Sequence, residues 1–297
     1  MSEQPLVSVL MNCYNGEKYL RKAIESVLSQ SYQNWELIFW DNQSDDLSAT
    51  IFHSYEDARL KYFFAPQHTD LGAARILAQE HLYGTYVAVL DADDVAHPDR
   101  LLKQVGFLEI NQNVALVGSW VKLVDTNGNL ISEYRPPLNT DELYQCLGWT
   151  NPIVNSSSMY RRQIAKLLGG YSTEFLNSQD FCLVLDVAAH FKIAVIDEFL
   201  CHLMISSTSL SRSTYRLIAA QEALLLFERS ASRLSLSQNS MLLNRRSVAI
   251  AEVKIGIYRI LEGEIIVGLK QIIFALILQP SVLWGNGLAR RLLGKPY

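Results

Sequence analysis

The apolar run Tyr86-Val87-Ala88-Val89-Leu90 leads directly into Asp91-Ala92-Asp93-Asp94. Bounded by Gly84 and Pro98, the run reads as a buried β-strand. Three carboxylates this close repel one another unless a cation or hydrogen-bond donors compensate them. A hard divalent cation suits such a strand end, because it prefers oxygen ligands and keeps positions for phosphate oxygens. The cluster therefore points to a metal and, through it, to a phosphorylated ligand. Asp also suits turns and helix N-termini, so Asp94 or Asp99 could instead serve the helix expected near Pro98.

The strand belongs to an alternating series. Leu6–Met11, Trp35–Trp40 and Leu60–Phe64 read as strands, and Lys18–Leu28, Leu47–Tyr55 and Leu71–Leu82 as helices. Repeated strand-helix-strand units imply a largely parallel sheet with helices on both faces. Ligands of such sheets bind beyond the carboxyl ends of the strands. Asn12-Cys13-Tyr14-Asn15, Asp41-Asn42-Gln43-Ser44 and the acidic cluster all fall at strand ends and should meet at one crevice.

Beyond Asn111 the pattern is looser. Val114–Val117 and Val121–Val124 read as two strands, Thr126-Asn127-Gly128-Asn129 as a turn, and Ile193–Ile196 as a strand. Phe181–His190 reads as a helix. From Tyr215 the chain is mostly helical, with a serine-rich break over Ser230–Ser240.

A net charge of −4 argues against a general nucleic-acid binder, which would carry a basic footprint. Cys13, Cys146, Cys182 and Cys201 lack zinc-ligand spacing and read as reduced, mostly buried thiols of a cytoplasmic protein. The N-terminus has no basic region followed by an apolar core, so no signal peptide is expected. Ile265–Leu278 is intensely apolar, but at 14 residues it is shorter than a plain membrane span. Leu283, Trp284, Leu288, Leu292 and Leu293 follow, with Arg290, Arg291 and Lys295 among them. Three uses stay open for this region: a peripheral membrane contact, a helix packed on the catalytic domain, or a homo-oligomer contact.

Several motifs follow one another in a distinctive order. They begin with Val7-Ser8-Val9-Leu10-Met11-Asn12-Cys13-Tyr14-Asn15-Gly16, Ser26-Val27-Leu28-Ser29-Gln30 and Glu36-Leu37-Ile38-Phe39-Trp40-Asp41-Asn42-Gln43-Ser44. They continue with Leu71-Gly72-Ala73-Ala74-Arg75, Gly84-Thr85-Tyr86, Asp91-Ala92-Asp93-Asp94 and Pro98-Asp99-Arg100-Leu101. Asn155-Ser156-Ser157-Ser158, Gly169-Gly170-Tyr171 and Gln179-Asp180-Phe181 complete the series. Together these motifs resemble family 2 glycosyltransferases. The resemblance implies an α/β GT-A (Rossmann-like) fold: a mixed, largely parallel sheet flanked by helices, with a helical C-terminal extension. It divides the chain into a catalytic domain over 1–212 and a helical region over 213–297. It also implies inverting transfer of a sugar from a nucleotide sugar, a UDP-sugar by preference, to a glycan or lipid-linked acceptor of a bacterial-type surface polysaccharide. That chemistry belongs in the cytoplasm or at the inner face of the cell membrane. The competing expectation is a catalytically impaired relative that binds a nucleotide sugar and assists another enzyme.

Residue roles follow from the same resemblance. Tyr14 would line the base pocket and Asp41 would contact the base, with Asn15, Arg75, Asp91 and Ala92 around the rest of the nucleotide sugar. Asp93 would ligate Mg²⁺ or Mn²⁺ bridging the phosphates, and Asp94 would assist or orient its neighbours. Asp180 would be the base that deprotonates the acceptor hydroxyl. Each has a plainer alternative: a strand-end aromatic for Tyr14, an Asx-type turn for Asp41, a surface helix position for Arg75, and a helix N-terminal carboxylate for Asp180. Asp186 is a second candidate carboxylate. Four departures stand out. Asn42 replaces a second Asp, Ile76 an Asn, and Gln179 the Glu before the catalytic Asp. Met204 and Ser206 stand where relatives carry Arg and His, with His202 nearby as a substitute or a structural residue.

Overall fold

The computed structural model describes residues 4–205 and 216–279. These residues form two compact units, one α/β and one helical. The α/β unit holds a nine-stranded mixed sheet. Its strands are β1 (Val7–Cys13), β2 (Trp35–Asp41), β3 (Leu60–Phe64), β4 (Tyr86–Val89), β5 (Val95–Ala96), β6 (Val114–Val124), β7 (Leu130–Tyr134), β8 (Met159–Arg161) and β9 (Lys192–Met204). The order is β3-β2-β1-β4-β8-β6-β9-β5, with β7 paired to β6. The first four strands pair in parallel, as do β6 and β9; β8, β5 and β7 run antiparallel to their neighbours.

The first half matches the sequence pattern closely. Helices α1 (Leu20–Leu28), α2 (Ser48–His53) and α3 (Leu71–Gln79) alternate with the parallel strands, and α4 (Arg100–Ile110) follows the acidic turn. Val7, Val9, Met11, Leu37, Phe39, Tyr86 and Ala88 from the strands meet Leu20, Ile24 and Val27 of α1 in one continuous core. The register pairs Cys13 with Asp41 and Leu10 with Val89, which brings the carboxyl ends of β1, β2 and β4 to one edge.

The second half departs from expectation in three places. The two short strands expected over 114–124 are a single strand of 11 residues. Gly118-Ser119-Trp120 reads as a break, but the irregularity is absorbed as register shifts against β9 at Ser119/Trp120 and Trp120/Val121. The strand expected at Ile193–Ile196 extends over 13 residues because its far end pairs with β5 as well as β6. The helix expected from Phe181 begins two residues earlier as α7 (Gln179–Ala188), since the Gln179 side chain is fully buried and packs as part of the helix. The turn at Asp125–Asn129 forms as expected, with Asp125 Oδ1 accepting from the Asn127 and Asn129 N–H groups and Gly128 at φ 89°.

The helical unit contains α8 (Arg216–Arg233), α9 (Gln238–Leu261) and α10 (Ile265–Leu278), with α5 (Thr140–Cys146) at the start of an inner segment. A boundary at 212/213 makes this unit one continuous stretch, but Asp141–Asn151 and Phe175–Ser178 also belong to it. Specific bonds explain why. Gln145 bonds the Ser235 carbonyl and the Ser237 N–H, Asn244 donates to the Gly148 carbonyl, and the buried Glu222 carboxylate accepts from the N–H groups of Leu176 and Asn177. The serine-rich break falls at Leu234–Ser237, where Ser237 caps α9 by accepting from Ser240 N–H. Among the described residues no helix is long and apolar enough to cross a membrane. The four cysteines are free, and all but Cys146 are buried.

One close approach limits the start of the strand that carries the acidic turn. A Cβ on Gly84 would collide with the backbone at Ser8, Tyr86 and Leu6. Gly84 N–H also donates to Ser8 Oγ at 2.8 Å, locking β4 beside β1. Gly84→Ala should destabilise the protein by about 1–3 kcal/mol or more through overpacking against atoms that cannot move. Thermal unfolding checks this, and an unchanged midpoint would show that the backbone yields.

Candidate active site

Two buried arginines surround the acidic turn. Arg100 is 1% exposed, and its Nη2 donates to the carbonyls of Val89 and Ser158, both at 2.9 Å. Its Nε donates to Gln104, which in turn donates to the Ser157 carbonyl. This places a fixed positive charge beneath the end of β4. Arg75, from α3, approaches from the other side. It is 4% exposed, donating from Nη2 to Asp91 Oδ1 at 3.1 Å and from Nη1 to Gln179 Oε1 at 3.3 Å, with its guanidinium 5.1 Å from the centre of the Tyr171 ring. Burial opposes the charge on Arg75, but Asp91, Tyr171 and Asp180 outweigh it and hold the guanidinium protonated.

The 3₁₀ turn Asn155–Ser157 supplies the remaining donors. Asn155 Nδ2 donates to both Asp91 oxygens at 3.1 and 3.3 Å, and Asp91 N–H donates to Ser156 Oγ. Asp91 is thus held by an arginine and an asparagine. Asp94 turns inward instead. It is buried and accepts from Met204 N–H at 2.9 Å, so it fastens the turn to the end of β9 and does not serve α4. Burial, then Asp93 and Asp91, raise its pKa well above the usual carboxylate range. Asp99 precedes α4 without a side-chain cap.

Asp93 has no ion pair among the described residues. Burial, then the Asp91 charge, push its pKa up to about 6. An uncompensated carboxylate beside another is the electrostatic deficit that a cation relieves. Among the described residues no three His, Cys, Asp or Glu side chains converge as a complete ligand set. The acidic turn offers carboxylate oxygens, the donor type a hard divalent ion takes alongside phosphate and water oxygens.

Asp180 lies in the first turn of α7, linked to the acidic turn through Arg75. Burial raises its pKa, opposed by Arg75 and the Phe181 N–H. Gln179, the departure beside it, is fully buried and gives Arg75 a neutral partner. Asp186 lies nearly two turns further along α7, with Cys182 Sγ 3.6 Å from its Oδ2.

The ends of β1 and β2 form the opposite wall. Tyr14 is 53% exposed, its ring 4.3 Å from that of His68. His68 Nδ1 bonds the Asn42 carbonyl at 2.8 Å. Asn42 also explains its own departure: its amide donates to the Thr69 carbonyl and accepts from Thr69, and an ionised Asp cannot do both. It thereby sets the path into Asp70, the N-cap of α3. Asp41 is fully buried, with Oδ1 accepting from Ser44 N–H at 2.7 Å and Oδ2 from the Tyr62 hydroxyl at 2.7 Å. The turn-forming alternative describes its bonds. Asn15, in the left-handed region at φ 53°, ties the two strand-end loops together: its N–H donates to Ser44 Oγ and its Oδ1 accepts from Asp45 N–H. Ala92 faces the same loop, since a Cβ on Gly16 would lie 3.7 Å from its Cβ.

Arg75, Asp91, Ala92, Asp93, Asp94 and Asp180 therefore gather at one centre, and Tyr14, Asn15 and Asp41 form the strand-end loops beside β1 and β2. Asn155, Ser156, Tyr171 and His68 also belong to the site, although the motifs alone gave them no roles. The signal for Asn155, Ser156 and Tyr171 was present in Asn155-Ser156-Ser157-Ser158 and Gly169-Gly170-Tyr171, whereas His68 lies in no quoted motif. Met204 is buried and contributes only backbone to the site, and Ser206 and Ser209–Ser211 lie outside the described residues. His202 pairs with Val95 in the sheet; burial, then Lys122 and His97, lower its pKa and keep it neutral.

Residues 8–169 match the family model for glycosyl transferase family 2. The chain belongs to that family. An uncharacterized glycosyltransferase of Methanocaldococcus jannaschii is 34% identical over 204 residues, 67% of this chain and 70% of the relative. The UDP-Glc:alpha-D-GlcNAc-diphosphoundecaprenol beta-1,3-glucosyltransferase WfgD of Escherichia coli is 25% identical over 222 residues, 73% of this chain and 83% of that one. Among solved structures, the mannosyltransferase PcManGT of Pyrobaculum calidifontis, in complex with GDP-Man and Mn²⁺, superposes with a TM-score of 0.62 at 16% identity over 99% of this chain and 79% of its own. That likeness establishes the GT-A fold. This family 2 glycosyltransferase thus has relatives in polysaccharide biosynthesis.

The raised pKa of Asp93 has a measurable consequence. The folded state holds the Asp93 proton more tightly than the unfolded chain, so ionising it costs stability as pH rises from 3.8 to about 6. Without metal, Asp93→Asn should gain stability relative to wild type across that interval and keep the gain above it. Parallel thermal melts from pH 4 to 8 test this; a constant difference between the two proteins would refute it.

Proposed function

We propose that the chain transfers a sugar, with inversion, from a nucleoside diphosphate sugar to a hydroxyl of a glycan or lipid-linked acceptor during surface polysaccharide synthesis. The observation that carries this is the shared arginine: Arg75 links Asp91, at the end of a buried strand, to Asp180, a carboxylate whose pKa is raised. Asp91 is thereby oriented by donors beside the acidic turn, and Asp180 is poised to take a proton. UDP is the preferred nucleotide, by likeness to the E. coli relative named for UDP-Glc and a diphosphoundecaprenol acceptor.

In this reading residues 1–212 carry the chemistry. Asp180 removes the proton of the acceptor hydroxyl as its oxygen attacks the anomeric carbon, and the bond from that carbon to the diphosphate breaks. A base with a pKa above the ordinary carboxylate value suits that task. Arg75 and Asn155 hold Asp91 beside the sugar and diphosphate, with Ala92 at the tip of the turn. Tyr14 offers an exposed ring for the base to stack on, with His68 behind it. Asp41 and Asn15 hold the loops that form the base pocket, Asp41 from beneath through Ser44. Asp93 would hold Mg²⁺ or Mn²⁺, which offsets the charge that develops on the departing diphosphate when it is bound.

Turnover should be assayed across a panel of nucleotide sugars with Mg²⁺ or Mn²⁺. Asp180→Asn should lower kcat by roughly 10²–10⁴-fold with donor KM near wild type, as expected for loss of a general base. Asp93→Ala should abolish metal-dependent nucleotide release. Wild-type transfer rates in Asp180→Asn would remove the assigned base, and failure to bind any nucleotide sugar would remove the whole reading.

A further inference from the structure

The helical unit presents an apolar surface that nothing in the sugar-transfer reading uses. Helix α10 packs on α9 through small residues: a Cβ on Gly256 or Gly268 would collide with the other's backbone carbonyl. Its opposite side carries Ile266, Leu269, Ile273, Phe274 and Ile277 at helical spacings of one face, and Ile266 and Ile277 are 71% and 72% exposed. Lys270 lies in the middle of this face, exposed and without an ion pair among the described residues. From residue 265 onward the charge of the sequence is one-sided. Residues 265–297 contain four basic residues (Lys270, Arg290, Arg291, Lys295) and no acidic one, which leaves 22 basic against 30 acidic residues in the first 264. The structural part of this count is Lys270, because the three other basic residues lie outside the described residues.

We propose that the outer face of α10 docks on an anionic lipid surface, with the helix lying in the plane of the interface. Helix α10 has 14 residues, so it extends roughly 21 Å, which suits lying along a bilayer and not crossing it. Lys270 distinguishes this occupant from a second copy of the chain. At a lipid interface its stem lies along the apolar face while its ammonium reaches a phosphate. Against another α10 face the same ammonium would be buried beside its own kind without a partner. Helix α10 itself carries no acidic residue, so its outer face adds no repulsion against an anionic surface.

The full chain should be sedimented with vesicles of phosphatidylcholine alone and of phosphatidylcholine with phosphatidylglycerol. Binding is expected to the second and to fall with added salt. Ile266→Ser combined with Ile273→Ser and Phe274→Ser should reduce the bound fraction at least roughly tenfold. Lys270→Glu should weaken binding several-fold, with helix content by circular dichroism and nucleotide binding unchanged in both variants. Equal binding to both vesicles, no binding to either, or a lipid-free dimer that the triple variant dissociates would each overturn the proposal. Nucleotide binding and sugar transfer in lipid-free solution are read separately, so failure of docking leaves the transferase reading standing, and the reverse.

Discussion

Three carboxylates at the end of a buried strand cannot stay together without compensation, and much of the α/β unit supplies it. Arg100 holds the β4 and β8 backbones from below through two carbonyls. Arg75 and Asn155 neutralise and orient Asp91, and Met204 and Ser156 take up Asp94. Asp93 and Asp94 both keep a raised pKa, from burial first and then from their acidic neighbours. They differ in their partners: Asp94 is bonded inward to Met204 N–H, whereas Asp93 has no ion pair among the described residues. Two buried guanidiniums without mutual contact would be costly in most cores. Here each is bound on several sides by acceptors.

The base-side loops follow a different rule. Asn15 and Gly16 are joined to Ser44, Asp45 and Ser48 by hydrogen bonds between side chains and backbone. Loops at the carboxyl ends of parallel strands have few apolar neighbours, so short polar side chains and left-handed positions at Asn15 and Gln43 fix their shape. Asn42 extends this network to α3, the helix that carries Arg75. The loop beside the base and the arginine beside the acidic turn are thereby linked through a single amide.

The parallel half of the sheet was legible because each strand is a short apolar run and each helix has its own period. Leu60–Phe64 matches to the residue, and the ends of β1 and β2 within two residues. The place of the acidic turn was legible for the same reason, since a buried run of five apolar residues leads straight into three acids. Contacts across long sequence separations were not legible. That Arg75 is buried and pairs with Asp91 depends on where α3 and α7 meet, which no local pattern encodes. Asn155 and Tyr171 lie in segments with weak periodicity. The long strand β6 was hidden because Gly118 and Ser119 look like a break, although Gly118 is there to accommodate the Ile153 side chain.

The helical unit takes two inner segments as well as the C-terminal helices, so the chain passes between units five times along its length. Residues 175–178 belong to the helical unit and lead straight into Gln179 and Asp180. A helical unit inherited this way does not behave as an interchangeable module. Exchange between relatives at a single junction would separate Glu222 from the N–H groups of Leu176 and Asn177, and Asn244 from Gly148. The two units are therefore obliged to vary together: substitutions in α8 and α9 are constrained by a peptide that ends beside Asp180, and change in the C-terminal helices must proceed in step with it.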